Sequence, residues 1–234
     1  MKKYRVGVLA VLAFGLTAGI ASATPTLYDY GFNINGTVTY GAAPAGVSMV
    51  GDFDLTAPTP ATGLGTISWS TSGLGFHSFF AFFDHEIDET VNTYYNEYGV
   101  SYDAPGAGQS WEIDEPGFVF GDIYDHLLAG TLDNTNGVPA ATPDDVSWAM
   151  GWDFNLAAGE TADITLSLTQ IAPGSGFFLQ QYDPDSQESI FFASTLTIRG
   201  GGGTEPIPEP ATMLLMGTGL AGLFGLGRKR MKKS

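Results

Sequence analysis

Large apolar residues alternate with small or polar residues in the second half of the chain. One run places an apolar side chain at every second position, at Val146, Trp148, Met150, Trp152, Phe154 and Leu156. Two further runs follow, at Ile164, Leu166 and Leu168 and at Phe192, Ser194, Leu196 and Ile198. This period of two predicts β-strands with one buried face. Since only residues 157–160 separate the first two runs, we expect these strands to form a hairpin.

Shorter strands are predicted upstream, at residues 36–40, 50–55 and 66–71, where Gly and Pro mark the turns between them. Residues 89–98 fit a short helix, and no other part of residues 24–199 shows a helical period. Many short strands separated by turns favour an all-β fold, an antiparallel β-sandwich or jelly roll. We assign this domain to residues 24–199.

The N-terminus has the three parts of a secretory signal peptide. Residues 1–5 are basic and residues 6–20 are apolar, with a helical signal segment expected there. Ala21 and Ala23 supply the small residues that signal peptidase requires, so cleavage would expose Thr24. A retained anchor is the alternative, although 15 apolar residues are short for a membrane span. We therefore predict that residues 1–23 direct export through the Sec translocon.

The C-terminal part of the chain predicts a membrane anchor. A Gly- and Pro-rich linker covers residues 200–207, and residues 211–227 form an uncharged run. As a helix this run would span roughly 25 Å, close to the hydrocarbon thickness of a bilayer. A basic tail follows, made of Arg228, Lys229, Arg230, Lys232 and Lys233. The positive-inside rule places this tail in the cytoplasm and the main domain across the inner membrane.

Charge separates the main domain from the two ends. Between residues 24 and 204 there is one basic residue, Arg199, and there are 23 acidic residues. Such a domain repels nucleic acid and anionic lipid, so we exclude nucleic acid as a partner. The chain contains no cysteine, which excludes disulfides, thiolate metal sites and a cysteine nucleophile.

The tail resembles a known sorting signal. Pro208, Glu209 and Pro210 precede the Gly- and Leu-rich run and the basic cluster, and this order resembles the PEP-CTERM signal over residues 208–234. Ile207 stands where valine is usual. The resemblance implies processing near the motif by exosortase, a membrane-embedded transpeptidase. It also implies an exported surface or matrix protein associated with exopolysaccharide and biofilm. An ordinary C-terminal anchor helix is the alternative.

Candidate chemistry is sparse, and we predict no catalytic residue, no metal-ligand set and no cofactor. The serine-hydrolase elbow is missing, and His85-Glu86 lacks the second histidine of a zinc HExxH motif. The acids around His85 fit a solvated loop better than a metal site. Two alternatives stay open. A glycosidase would use acids beside Trp111, namely Glu112, Asp114 and Glu115. Calcium would use acids on turns, namely Asp52, Asp54, Asp122, Asp125, Asp144, Asp145, Asp183, Asp185 and Glu188.

These observations predict an exported, acidic, non-catalytic surface or matrix protein. Its partners would be signal peptidase, exosortase and an extracellular polysaccharide. Four tyrosines offer rings for stacking on sugars, although they also fit a packed loop: Tyr94, Tyr95, Tyr98 and Tyr102. The alternatives are a secreted polysaccharide-processing enzyme and a calcium-dependent carbohydrate-binding module.

Overall fold

The computed structural model describes residues 24–87, 94–117 and 119–200. The signal peptide and the C-terminal anchor therefore lie outside the described residues, which begin at Thr24, directly before the first strand. In chain order the described strands are β1 Pro25–Ile34, β2 Thr37–Tyr40, β3 Val47–Gly51, β4 Gly65–Ser72, β5 Gly75–Ile87, β6 Tyr98–Tyr102, β7 Gln109–Asp114, β8 Ser147–Leu156, β9 Glu160–Thr169, β10 Phe178–Tyr182 and β11 Ser189–Gly200. One helix, α1 Ile123–Ala129, lies between β7 and β8, and a 3-10 turn forms at Tyr94–Asn96.

The strands form two antiparallel sheets. The five-stranded sheet has the order β2-β1-β5-β8-β7, and the six-stranded sheet has the order β3-β4-β9-β11-β10-β6. Their inner faces share one large hydrophobic core. The prediction of an all-β antiparallel sandwich is therefore confirmed for the described residues.

The core is built from the alternating residues of facing strands. β8 contributes Trp148, Met150 and Trp152, and β9 contributes inward-facing branched residues from the opposite sheet. Phe83 on β5 meets Phe192 on β11 edge to face, with ring centroids 5.4 Å apart. Burial of such side chains is the main stabilising term, about 25 cal/mol per Å² of apolar surface.

The predicted hairpin between β8 and β9 is wrong. β8 pairs with β5 and β7, whereas β9 pairs with β4 and β11 in the other sheet. The turn after Leu156 carries the chain from one sheet to the other, with Gly159 at a positive φ of 81°. Alternation identifies the buried face of a strand, and both strands do face the same core. It does not identify the sheet to which each strand belongs.

The five-stranded sheet is also covered on its outer face. Phe80, Phe82 and Ala149 project there and pack against Ile123 and Leu127 of α1 in a second apolar cluster. This arrangement explains why β5 reads as a continuous apolar run with no alternation, since both of its faces are buried.

The end of α1 is held by specific polar contacts. The side-chain amide of Asn33, on β1, donates to the carbonyl oxygens of Leu127 and Leu128 at 2.8 and 3.1 Å. Gly130 then ends the helix in a left-handed conformation with φ of 67°. These contacts fix α1 across the five-stranded sheet.

Three other local predictions need correction. The strand expected at 50–55 lies earlier, at β3, and Phe53 leaves it to enter the core. Within the range of the helix expected at 89–98, the structure has the 3-10 turn and the start of β6, and residues 88–93 lie outside the described residues. The acidic loop expected after Phe83 is instead the buried end of β5. In the described residues no helix is long and apolar enough to cross a membrane.

Candidate functional site

An aromatic patch lies on the outer face of the six-stranded sheet, across β6, β10 and β11. It consists of Tyr98, Tyr102, Phe178, Tyr182 and Phe191. Alternation places these side chains outward, because their neighbours Leu179, Gln181 and Phe192 point into the core. Strand register sets Tyr98 opposite Tyr182 and Tyr102 opposite Phe178. Three adjacent strands therefore present their rings on a single surface.

The patch is ordered by ring contacts and by a short polar chain. Tyr102 stacks on Phe178 with centroids 4.6 Å apart and an interplanar angle of 16°. The Tyr102 hydroxyl donates to the side-chain oxygen of Gln180 at 2.6 Å, and the Gln180 amide donates to the Ser189 hydroxyl at 2.8 Å. Tyr102 remains 40% exposed. The surface combines accessible rings with hydroxyl and amide groups.

An acidic pocket forms a separate concave site. It has a volume of about 360 Å³ and is lined by Tyr95, Glu115, Pro116, Gly117, Val119, Phe120, Asp144 and Asp145. Burial and the neighbouring Asp144 raise the pKa of Asp145 to about 6. Burial and the same aspartate also raise the pKa of Glu115. Tyr95 is 56% exposed, so an aromatic ring stands beside paired carboxylates here.

Buried acids occupy the end of the sandwich next to this pocket. Asp84 and Glu86 on β5 are each 6% exposed, and Glu97 is fully buried. The prediction that Asp84–Glu86 form a solvated loop is wrong, because β5 continues through these residues and both of its faces are covered. Burial raises the pKa of both Asp84 and Glu97 to about 8. Asp145 and Asp29 raise the pKa of Asp84 further by charge repulsion.

Neutral donors hold Glu97 in place. The backbone N–H of Ile87 donates to one carboxylate oxygen of Glu97 at 3.0 Å, and the Gln181 side-chain amide donates to the other. Gln181 also donates to the carbonyl oxygen of His85 at 2.6 Å. The His85 ring is fully buried beside the Trp148 indole, and burial lowers its pKa to about 3. This histidine is part of the core.

Glu112, a candidate for glycosidase chemistry, lies away from the acidic pocket. It projects from the outer face of β7 and is 1% exposed. Its two carboxylate oxygens each lie 2.9 Å from Nδ1 of His126 on α1. Burial raises the pKa of Glu112 to about 7, and the hydrogen bond with Glu112 raises the pKa of His126. Trp111 packs against the inner core and therefore points to the face of β7 opposite Glu112 and Asp114, so its ring does not stand beside these two carboxylates.

Two of the candidate calcium ligands on turns, Asp183 and Asp54, accept local hydrogen bonds. Asp183 is fully buried, and its carboxylate accepts from the backbone N–H groups of Asp185 and Ser186 at 3.0 and 2.8 Å. The Asp54 carboxylate accepts from the backbone N–H and the hydroxyl of Thr56 in the same way. Such contacts are typical of Asx turns. Calcium binding at these turns stays a prediction.

Two features of these sites escaped the sequence reasoning. Phe178 and Phe191 join the tyrosines of the patch only through strand pairing, and β10 shows no clear alternation. His126 meets Glu112 across 14 residues of sequence, and α1 is too short to show a helical period. Tyr98 and Tyr102 were predicted to offer rings for stacking, and the structure brings both onto one surface.

The sorting residues at both ends of the chain fall outside the described structure. These are Ala21 and Ala23 at the signal cleavage site, the motif Pro208, Glu209 and Pro210, and the basic residues Arg228, Lys229, Arg230, Lys232 and Lys233. The sequence alone supports the signal-cleavage residues and the last two lysines, whereas a family comparison also covers the sorting motif and residues 228–230.

Comparison with known families identifies a protein-sorting signal. Residues 206–230 match the family model of the PEP-CTERM protein-sorting motif. The chain is a PEP-CTERM domain-containing protein, so the resemblance seen in the sequence is confirmed. The motif implies export and processing by exosortase. No curated protein and no solved structure matches the chain.

Proposed function

We propose that this protein is a non-catalytic component of the cell surface or extracellular matrix, and that its aromatic patch binds a neutral polysaccharide. The sorting motif supports the destination, because it implies an exosortase-dependent surface protein. The patch supports the ligand. Tyr102 is 40% exposed, and the half-buried rings of Tyr98, Tyr182 and Phe191 lie near it on the same sheet face, while Phe178 is buried beside Tyr102 and supports it. These rings offer apolar surface to sugar rings, and Gln180 and the Tyr102 hydroxyl offer hydrogen bonds to sugar hydroxyls.

Charge restricts the kind of polysaccharide. Residues 24–204 carry 23 acidic residues and one basic residue, so a polymer rich in carboxylate or sulfate groups would be repelled. The five residues of the aromatic patch are phenylalanines and tyrosines, which carry no charge at neutral pH. A neutral glycan chain lying along the strands therefore fits the patch better than an anionic one.

The alternative function is a polysaccharide-processing enzyme, and one observation favours it. The acidic pocket holds Glu115, Asp144 and Asp145 beside the exposed Tyr95, which is the residue combination that glycoside hydrolysis uses. Glu112 does not line this pocket, so a test of catalysis belongs at Asp145. Reducing ends released from the organism's own polysaccharide, and lost in Asp145→Asn, would establish the enzyme in place of the non-catalytic role.

Binding tests the patch directly. The mature protein isolated from the extracellular or surface fraction is run through gels containing the organism's own exopolysaccharide, and retardation gives the affinity. We expect Tyr102→Ala to weaken binding roughly two- to tenfold, since one aromatic contact is worth about 0.5–1.5 kcal/mol. Tyr95→Ala is the matched control, an exposed aromatic outside the patch. Loss of binding in Tyr95→Ala with Tyr102→Ala unaffected would move the site to the acidic pocket.

The sorting part is tested by mass. Cells with and without exosortase are fractionated, and the intact mass of the protein is measured. We expect a form that begins at Thr24 and ends near Pro208–Pro210 in the surface or extracellular fraction only when exosortase is present. A form that runs through Ser234 in the inner membrane of both strains would make the tail a plain anchor.

A further inference from the structure

Three potential metal-binding atoms converge between β7 and α1. Nδ1 of His126 lies 2.9 Å from a carboxylate oxygen of Glu112 and 3.6 Å from a carboxylate oxygen of Asp122. Ligand atoms of these three residues all lie within 4.8 Å of one another, which makes them the one such group within residues 24–87, 94–117 and 119–200. The three side chains come from a strand, the residue before a helix and the helix itself.

The fold brings these side chains together for identifiable reasons. Trp111 and Ile113 point into the core, so Glu112 between them must point to the outer face, where α1 lies. Asp122 and His126 are four residues apart, which places them on the same side of the first turn of α1. The site is therefore set by sheet alternation and helical spacing together.

The distances suit a small divalent ion. Zinc binds nitrogen at about 2.0–2.1 Å and carboxylate oxygen at about 2.0–2.2 Å, so tetrahedral ligand atoms stand about 3.3 Å apart. The two separations from Nδ1, 2.9 and 3.6 Å, lie on either side of that value. Imidazole nitrogen favours zinc and similar transition metals over calcium and magnesium, which prefer oxygen ligands throughout.

The solvent exposure of the three side chains and the hydrogen bonds around them also fit a metal-ion site. Glu112 is 1% exposed, whereas the side chains of His126 and Asp122 are 27% and 64% exposed, so the site opens to solvent on one side. The backbone N–H of Asp122 donates to the Asp114 carboxylate at 2.8 Å, and the backbone N–H of Asp133 donates to Glu112 at 3.3 Å. Outer contacts of this kind orient metal ligands.

We propose that Glu112, Asp122 and His126 form a binding site for one divalent transition-metal ion, with zinc as the ion tested first. The ion would lie between Nδ1 of His126 and the carboxylate oxygens of Glu112 and Asp122, the atoms that the fold brings together. Three protein ligands leave a fourth position for water or for an oxygen atom of a ligand. The site lies on the five-stranded sheet and is independent of the aromatic patch.

Calorimetry on the untagged full chain in detergent tests the proposal, with ZnCl₂ as the titrant. We expect one saturable zinc site per chain at micromolar concentration. Asp122→Asn should weaken zinc binding by at least tenfold, and His126→Gln should weaken it further. His77→Gln is the matched control, since His77 lies outside the site and bonds to the Gly73 carbonyl.

The outcomes separate a metal site from a simple ion pair. Zinc affinity unchanged in both Asp122→Asn and His126→Gln would overturn the proposal, as would the absence of saturable binding to the unaltered chain. Calcium that binds as tightly as zinc would contradict the choice of metal class. If His126→Gln fails to fold, Asp122→Asn decides the question, because Asp122 is largely exposed. X-ray absorption of the zinc complex should show one imidazole nitrogen among oxygen ligands.

Discussion

The outer faces of the two sheets differ in their burial. The five-stranded sheet covers its outer face with α1 and buries Phe80, Phe82 and Ala149 beneath the helix. In the described part of the chain the outer face of the six-stranded sheet is exposed, with threonines and serines along β4 and β9 and the aromatic patch along β6, β10 and β11. One outer face thus stabilises the fold and shapes a polar cluster, while the other is free to contact a large partner.

The largest expected effect concerns the outer face of the five-stranded sheet, and it tests whether the residues buried beneath α1 stabilise the fold as core residues do. Phe80→Ala removes a ring that is 1% exposed under α1, so we expect a loss of about 3–5 kcal/mol in the free energy of unfolding. Thr195→Ala, on the uncovered outer face of β11, should change it by no more than about 0.5 kcal/mol. Urea denaturation measures both. If the two substitutions changed the free energy of unfolding equally, the residues beneath α1 would not act as a hydrophobic core.

The second prediction concerns the acids at the end of β5. Burial raises the pKa of Asp84 from an ordinary 3.8 to about 8, so the folded state holds its proton more tightly than the unfolded state. This stabilising contribution is complete below pH 3.8 and is lost as the pH rises to about 8. Between about pH 6 and pH 8, Asp84→Asn should flatten this decline by on the order of 2–3 kcal/mol, since each pH unit over which only the folded state is protonated is worth about 1.36 kcal/mol.

Denaturation across this pH range measures the decline, and Thr195→Ala is the control that should keep the wild-type profile. A profile in Asp84→Asn as steep as that of the unaltered protein would show that Asp84 stays ionised in the folded state.

The smallest effect tests a direct link between the two sheets. The Trp152 indole N–H on β8 donates to the Ser194 hydroxyl on β11 at 2.6 Å, and both residues are buried. Ser194→Ala leaves this N–H without its partner, which should cost about 1–2 kcal/mol. Ser167→Ala on the uncovered face of β9 should cost less than about 0.5 kcal/mol. Thermal unfolding measures the stability of both variants. Equal losses of stability would show that the hydrogen bond from Trp152 to Ser194 does not stabilise the fold.

The difference between the sheets also explains how much the sequence could predict. β4, β9 and β11 bury one face only, so their alternation is readable and their strands were predicted. β5 is buried on both faces and reads as an apolar run followed by acids, which concealed a strand of 13 residues. Alternation could not assign β8 and β9 to different sheets, because both face one core.

The candidate sites were predictable only in part. The sorting motif is a contiguous segment, so the sequence alone was enough to find it. Tyr98 and Tyr102 lie close together in the sequence and were selected as candidates for sugar contact. Phe178 and Phe191 reach them through strand pairing, and Glu112 reaches His126 through the packing of α1 on the sheet. Such long-range pairs leave no local periodic signal.

The single basic residue between residues 24 and 204, Arg199, has a consequence for proteolysis. Arg199 lies near the end of β11, where its 71% exposed side chain pairs with Asp163 at 3.1 Å. A protease that cleaves after lysine or arginine has one target between residues 24 and 204, the bond from Arg199 to Gly200. Within residues 24–87, 94–117 and 119–200, every buried core residue precedes that bond. One cut would therefore shed the whole sandwich from its sorting tail in a single piece and leave its interior unopened.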